Sequence, residues 1–150
     1  MAVSNKDVVK TLADLRETNI DLQKIYKTAS DKVADAHVKS KFTEFSEKYS
    51  RFATEIEREL NTLGERPDKS GSFVGTLHRT FTEIRSAFSK NDVDAMVDEC
   101  IRAEKMAIDN YDDALKLDLP ANLQSLLSQQ YGDLKQTKQM LENYKRTKSF

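Results

Sequence analysis

Glycine and proline are confined to a few places in this sequence, and their distribution leaves room for long helices. The chain contains 4 glycines and 2 prolines, and most of them fall between Gly64 and Gly75. Because these two residues are the least compatible with a helix interior, long stretches on either side of that region are free of helix breakers. The sequence therefore predicts an all-α fold whose helices are interrupted mainly in one region.

Apolar residues recur at steps of three and four in four long stretches, the spacing that keeps side chains on one face of a helix. The predicted helices cover residues 5–31, 35–63, 92–117 and 120–146. The second has the clearest apolar seam, made of Val38, Phe42, Phe45, Tyr49, Phe52, Ile56 and Leu60 or Leu63. Asp35 is a candidate N-cap of that helix, and Gly64 is a candidate left-handed C-cap. The charged residues between the seam positions, Lys48 among them, are interpreted as a solvated face.

The region between the second and third long helices predicts a connection that crosses the bundle. Residues 72–88 form a shorter amphipathic stretch, whose apolar side holds Phe73, Leu77, Phe81, Ile84 and Phe88. A helix of that length rises about 25 Å, and the loops around it supply the remaining length of the main helices. The third helix would then run parallel to the second, whereas short turns make the first and last pairs antiparallel. One long crossover in a four-helix bundle is the ferritin-like arrangement.

Charge and composition favour a single cytoplasmic domain over residues 1–150. Lys and Arg total 24 against 25 Asp and Glu, so no broad electrostatic field points to nucleic acid or to an anionic membrane. No apolar run reaches membrane-spanning length, and the N-terminus lacks the pattern of a signal peptide. The single cysteine, Cys100, lies on an apolar seam and is interpreted as a core residue.

Each long helix carries one polar or half-polar residue near the middle of its apolar seam. In helix order these residues are Asn19, Tyr49, Glu104 and Gln130. If the helices align by their ends, the four side chains form one buried polar layer, in which the other three donate hydrogen bonds to Glu104. A buried carboxylate needs such donors, or else it takes up a proton at a raised pKa. The layer is interpreted as fixing the helix register, and the alternative is that it is the remnant of a metal centre.

Short stretches spread over the chain carry a resemblance to a known family. They are Phe45-Ser46, Arg51-Phe52, Glu55, Ser70-Gly71-Ser72 with Gly75, Leu77-His78-Arg79, Cys100-Ile101-Arg102-Ala103-Glu104, Tyr111-Asp112-Asp113-Ala114-Leu115, Leu119-Pro120 and Gln130-Tyr131. In these stretches the sequence resembles an uncharacterised bacterial family of small ferritin-like four-helix-bundle proteins, catalogued as a domain of unknown function. The resemblance implies the fold and no settled activity. Lys138 stands where members of that family often carry a histidine, which weakens any metal role for that position.

The residues expected of a ferritin-like metal centre are incomplete in this sequence. Such di-iron sites use an inward Glu from each of two helices and a Glu-x-x-His pair from each of the other two. The chain has no Glu-x-x-His, and its only histidines are His37 and His78. We therefore expect no catalytic residues and no cofactor. The alternative is a protein that binds iron, manganese or zinc, or a related oxidase, with an incomplete ligand set; its candidate residues are Glu104 and His78, helped by Glu17, Glu55, Glu99 or Asp133.

An intact core without a catalytic set favours a non-catalytic bundle that acts through protein contacts. We expect a homo-oligomer or a complex with another protein, and neither nucleic acid nor membrane as a partner. The predicted contact surface is the Leu77, His78 and Arg79 segment of the crossover.

Overall fold

The computed structural model describes residues 5–64 and 92–150, and the regular secondary structure of these ranges is helical. The helices are α1 (Asn5–Lys32), α2 (Ala36–Leu63), α3 (Val93–Leu115) and α4 (Ala121–Thr147). Each begins and ends within two residues of its predicted range. The prediction of an all-α four-helix bundle is confirmed. The predicted helix at 72–88 lies outside the described residues.

Capping interactions fix both ends of α2 and the start of α3. The Asp35 carboxylate accepts hydrogen bonds from the backbone N–H groups of His37 and Val38, at 2.9 and 3.0 Å. Gly64 has a left-handed φ of 72° and closes the other end of α2, because glycine adopts this conformation without a steric cost. Asp92 caps α3 by accepting from the N–H of Ala95.

Contacts between side chains show the direction in which the helices run. Ser30 contacts Thr43 and Arg16 contacts Glu57, so α1 and α2 are antiparallel. Pairs between the other neighbours also match rising with falling residue numbers. They are Asn19–Tyr111 and Tyr26–Glu104 between α1 and α3, Lys48–Thr137 and Glu59–Asn122 between α2 and α4, and Asp98–Lys145 and Tyr111–Gln130 between α3 and α4.

These directions place α2 and α3 parallel to each other on opposite corners of the bundle. The helices that pack as neighbours are α1 with α2, α3 with α4, α1 with α3, and α2 with α4. The backbones of α2 and α4 make the least extensive of these contacts. Leu63 therefore ends α2 at one end of the bundle, whereas Val93 begins α3 at the other.

Apolar side chains from all four helices form one continuous core, and none of the described helices is long and apolar enough to cross a membrane. Aromatic rings concentrate between α1 and α2, where Tyr26 lies within 5.3 Å of Phe45 and 6.1 Å of Phe42, measured between ring centroids. After α4 the chain turns back, and the ring of Phe150 stacks on Tyr144 at 4.6 Å. Residues that follow Tyr144 thus cover the end of the core.

Two glycine substitutions test the backbone argument and are expected to change stability in opposite directions. Gly132 lies inside α4, and a Cβ added there meets nothing within 4 Å. Gly132→Ala should therefore raise the free energy of unfolding by about 1 kcal/mol, because alanine loses less backbone entropy in a helix. Gly64→Ala also meets nothing within 4 Å, but it should destabilise by about 1 to 2 kcal/mol because φ is positive. Urea unfolding measures both, and a stabilised Gly64→Ala protein would contradict this account.

Candidate functional site

Glu104 is a carboxyl group buried at the centre of the bundle, and two phenols from other helices donate to it. Its side chain is 0 % exposed. Its Oε1 atom accepts hydrogen bonds from Tyr26 of α1 at 2.6 Å and from Tyr49 of α2 at 2.7 Å. The two phenol rings stack at 5.7 Å with an angle of 19° between their planes. One oxygen of Glu104 thus joins three of the four helices.

The second oxygen of Glu104 differs from the first. Oε2 is buried and accepts no hydrogen bond from the described residues. A buried carboxylate oxygen without a donor is costly when the group is ionised, because desolvation is not compensated. The arrangement therefore favours the protonated carboxyl group, which is neutral and can place its proton on Oε2.

The fourth helix contributes Thr137 at this level, through its contacts with Lys48 and Tyr49. The ammonium group of Lys48 donates to the Thr137 hydroxyl at 2.5 Å. It also lies 5.6 Å from the ring centre of Phe45 and 5.5 Å from that of Tyr49. Lys48 is half-buried between α2 and α4, so the interpretation that it belongs to a solvated face is wrong. Its aliphatic stem follows apolar surface while its charged end reaches polar partners.

A second chain of hydrogen bonds crosses the bundle at the level of Tyr111, nearer the end at which α3 ends. Asn19 Nδ2 donates to the backbone carbonyl of Leu15 at 2.8 Å and to the Tyr111 hydroxyl at 2.7 Å. The Tyr111 hydroxyl donates to Gln130 Oε1 at 2.7 Å. Gln130 Nε2 then donates to Glu55 Oε1 at 3.3 Å. This chain also takes one residue from each helix, and it contains no donor to Glu104.

The interior therefore contains two polar layers instead of the single predicted one. The upper layer is Tyr26, Tyr49, Glu104 and Thr137 with Lys48, and the lower layer is Asn19, Glu55, Tyr111 and Gln130. The predicted residues Asn19, Tyr49, Glu104 and Gln130 are all buried. The expectation that Asn19 and Gln130 donate to Glu104 is wrong, because these amides lie in the lower layer.

A seven-residue offset relates the two layers along three helices and explains the error in register. Asn19 and Tyr26, Glu104 and Tyr111, and Gln130 and Thr137 are each seven residues apart. Seven residues make two helical turns and about 10 Å of rise, and they return the side chain to nearly the same face. Alignment by helix ends cannot distinguish such neighbouring levels. Tyr26, Tyr111 and Thr137 each lie seven residues from a predicted layer residue, and this heptad spacing is the signal in the sequence that could have found them.

Burial shifts the pKa values of the groups in the upper layer. It raises the pKa of Glu104 from 4.5 to about 7, although the hydrogen bonds from Tyr26 and Tyr49 and the charge of Lys48 act in the opposite direction. Burial, followed by the charge of Glu104, raises the pKa values of Tyr26 and Tyr49 well above their usual range. The same two causes raise the pKa of the Cys100 thiol. Near neutral pH, Glu104 is thus the group in this layer that can gain or lose a proton.

The candidate metal ligands do not converge in the described part of the chain. Within residues 5–64 and 92–150, no group of three or more His, Cys, Asp and Glu side chains could hold a metal ion. Glu17 contacts Arg16, Glu99 contacts Arg102 and Glu55 contacts Gln130, while Lys138 pairs with Glu142. Glu104 instead accepts from two phenols, and the Cys100 thiol and the Lys48 ammonium interact with its charge. His78, with the contact segment Leu77 and Arg79, lies outside the described residues.

A comparison with protein families identifies the group to which the chain belongs. The family model described as domain of unknown function DUF2383 matches residues 7–117. The match covers α1 to α3, and the chain therefore belongs to this family. No curated protein matches the chain.

The raised pKa of Glu104 predicts a stability that falls as the pH rises. The folded state holds the Glu104 proton more tightly than the unfolded state does. The resulting stabilisation of the fold is complete below the unfolded pKa of 4.5 and is lost as the pH rises through about 7. Relative to Glu104→Gln, the protein should lose about 2 to 3 kcal/mol of unfolding free energy between about pH 5 and about pH 8. Urea unfolding at a series of pH values measures the difference. Two parallel curves would show that Glu104 has an ordinary pKa.

The lower layer predicts a specific cost for removing one hydroxyl. Tyr111→Phe leaves the Gln130 carbonyl without its donor and takes an acceptor from Asn19, so it should destabilise the protein by about 1 to 3 kcal/mol. Tyr131→Phe is the matched control, because Tyr131 is half-buried and its ring contacts Lys135. Chemical denaturation should show little change in the control. Equal stability of the two variants would mean that the Tyr111 hydroxyl contributes nothing.

Proposed function

We propose that this member of the family is a non-catalytic ferritin-like four-helix bundle that acts through protein contacts, by self-association or by binding another protein. The observation that supports this most directly is the occupation of the interior at the level of Glu104. Bundle proteins with a cofactor build its site there from inward-facing side chains of facing helices. Here, Tyr26 and Tyr49 both donate to the one carboxyl group at that level. The interior residues thus hold the helices in register, and the outer surface is left for recognition.

The directions of the helices support the ferritin-like part of the proposal. Two antiparallel pairs, α1 with α2 and α3 with α4, are arranged so that α2 and α3 are parallel. The end of α2 and the start of α3 then lie at opposite ends of the bundle. Bundles of the ferritin-like class join their second and third helices by one long crossover for this reason.

The oligomeric state tests the proposed role. Size-exclusion chromatography with light scattering, over a wide range of protein concentration, should show a homo-oligomer or a stable complex with a co-purified protein. Arg79→Glu, in the proposed contact segment Leu77, His78 and Arg79, should weaken this association. Lys24→Glu is the control, because it makes the same change of charge at an exposed position of α1. A strict monomer at every concentration, without a partner, would contradict the proposal.

Elemental analysis of untagged protein tests the metal-binding alternative in the same preparation. Stoichiometric iron, manganese or zinc that is lost in Glu104→Ala would overturn the non-catalytic assignment. Unfolding of Glu104→Ala and of the unaltered protein, both with a chelator present, should then be compared. The comparison would show whether the metal is lost because the carboxyl group is missing or because the fold is damaged.

A further inference from the structure

We propose that Glu104 and Lys48 form a proton-operated latch across the seam between α2 and α4. With Glu104 protonated, the Lys48 ammonium stays on the Thr137 hydroxyl; with Glu104 ionised, it turns inward to Glu104 Oε2. The latch goes beyond the scaffold role proposed above, because it gives the bundle two internal arrangements that depend on pH.

The first support for the latch is the unequal environment of the two Glu104 oxygens. Oε1 already accepts from Tyr26 and Tyr49, whereas Oε2 has no donor among the described residues. Loss of the proton would create a buried charge for which only one oxygen is satisfied. A cation that can reach Oε2 would bind there, because its charge-assisted hydrogen bond to the carboxylate offsets the desolvation cost.

The second support is the position of Lys48. Its charge already acts on Glu104 and opposes the effect of burial on the pKa of that carboxyl group. Burial in turn lowers the pKa of Lys48, and the charges of Glu104 and then Asp133 act against this shift. The present partner of the ammonium, Thr137, is a neutral hydroxyl, which is a weaker acceptor than a carboxylate. A flexible four-carbon stem lets the ammonium exchange one partner for the other.

The third support is the looseness of the seam itself. The backbones of α2 and α4 make the least extensive contact among the neighbouring helices. A lysine side chain in that seam can change its rotamer without a shift of the close-packed interface between α1 and α2. Lys48 also lies against the rings of Phe45 and Tyr49, which stabilise a cation in this seam through their faces.

The groups that face Glu104 leave Lys48 as the cation able to respond. α1 presents Tyr26, α2 presents Tyr49 and Lys48, and α3 itself presents Cys100 and Tyr111. The phenols and the thiol remain neutral over the range in which Glu104 titrates, since burial raises their pKa values. From α4, Asp133 acts on Lys48. Among the described residues, Lys48 therefore supplies the positive charge that stabilises ionised Glu104.

Nuclear magnetic resonance of protein with ¹³C-labelled Glu and Lys side chains tests the latch. The Glu104 carboxyl signal is identified by its loss in Glu104→Gln. In the unaltered protein, the Lys48 side-chain signals should change with the same pH midpoint as Glu104, and they should stay constant in Glu104→Gln. The proposal would be overturned if the Lys48 signals did not change at the pH midpoint of Glu104. This experiment needs no substitution of Lys48.

Substitutions on both sides of the latch should move the Glu104 midpoint in opposite directions. Lys48→Met should raise it by about one pH unit or more, because the ionised form loses its cation. Thr137→Val should lower it, because the loss of the competing partner of the ammonium outweighs the loss of the Thr137 contact with Tyr49. Lys41→Met is the matched control, since Lys41 is also half-buried, lies one heptad earlier on α2 and pairs with Glu44.

The results of these substitutions decide between a latch and a purely structural lysine. Equal midpoints in Lys48→Met and Lys41→Met would overturn the proposal. If Lys48→Met does not fold, the opposite shift expected for Thr137→Val and the Lys48 signals of the unaltered protein still decide the question. A midpoint that Thr137→Val leaves in place, together with silent Lys48 signals, would then reject the latch.

Discussion

The burial of one carboxyl group constrains the middle of this bundle more than any other interaction. Glu104 has no exposed surface, and burial raises its pKa. Two phenols that donate to one oxygen, and the charge of the half-buried Lys48, lower the pKa and so offset part of this effect. Each of these groups comes from a different position on the neighbouring helices. A shift of one helix by a single turn would separate a donor from its acceptor and leave buried polar atoms unpaired. The polar contacts thus select one alignment among several that the apolar seams alone would accept.

The two polar layers differ in what they can do. The lower layer joins amides and a phenol into a chain that ends at the half-exposed carboxylate of Glu55. Its interior members, Asn19, Tyr111 and Gln130, stay uncharged, and the layer fixes register. The upper layer contains Glu104, a fully buried carboxyl group whose pKa is raised to about 7. The charge of the bundle interior can therefore change at this level while the lower layer remains as it is.

Position within the four-helix arrangement explains why a lysine takes part in the upper layer. α1 packs closely on α2 through aromatic rings at the level of Tyr26. The seam between α2 and α4 is less tightly packed, and it admits Lys48 with its ammonium on Thr137. Lys48 therefore reaches polar partners inside the bundle, although Glu47 and Arg51 on the same helix are exposed.

The sequence by itself determined the helices and the caps of α2 at Asp35 and Gly64. It also determined that the predicted layer residues are buried, namely Asn19, Tyr49, Glu104 and Gln130. Both results depend on the three-four spacing of apolar residues and on local capping chemistry, which act within a single helix. Only the tertiary structure decided which buried polar residues meet. Residues seven positions apart lie on nearly the same face, so one sequence pattern is compatible with several alignments of neighbouring helices. The contact of Glu104 with Tyr26 and Tyr49, instead of with Asn19 and Gln130, depends on packing across the bundle, which no single helix contains.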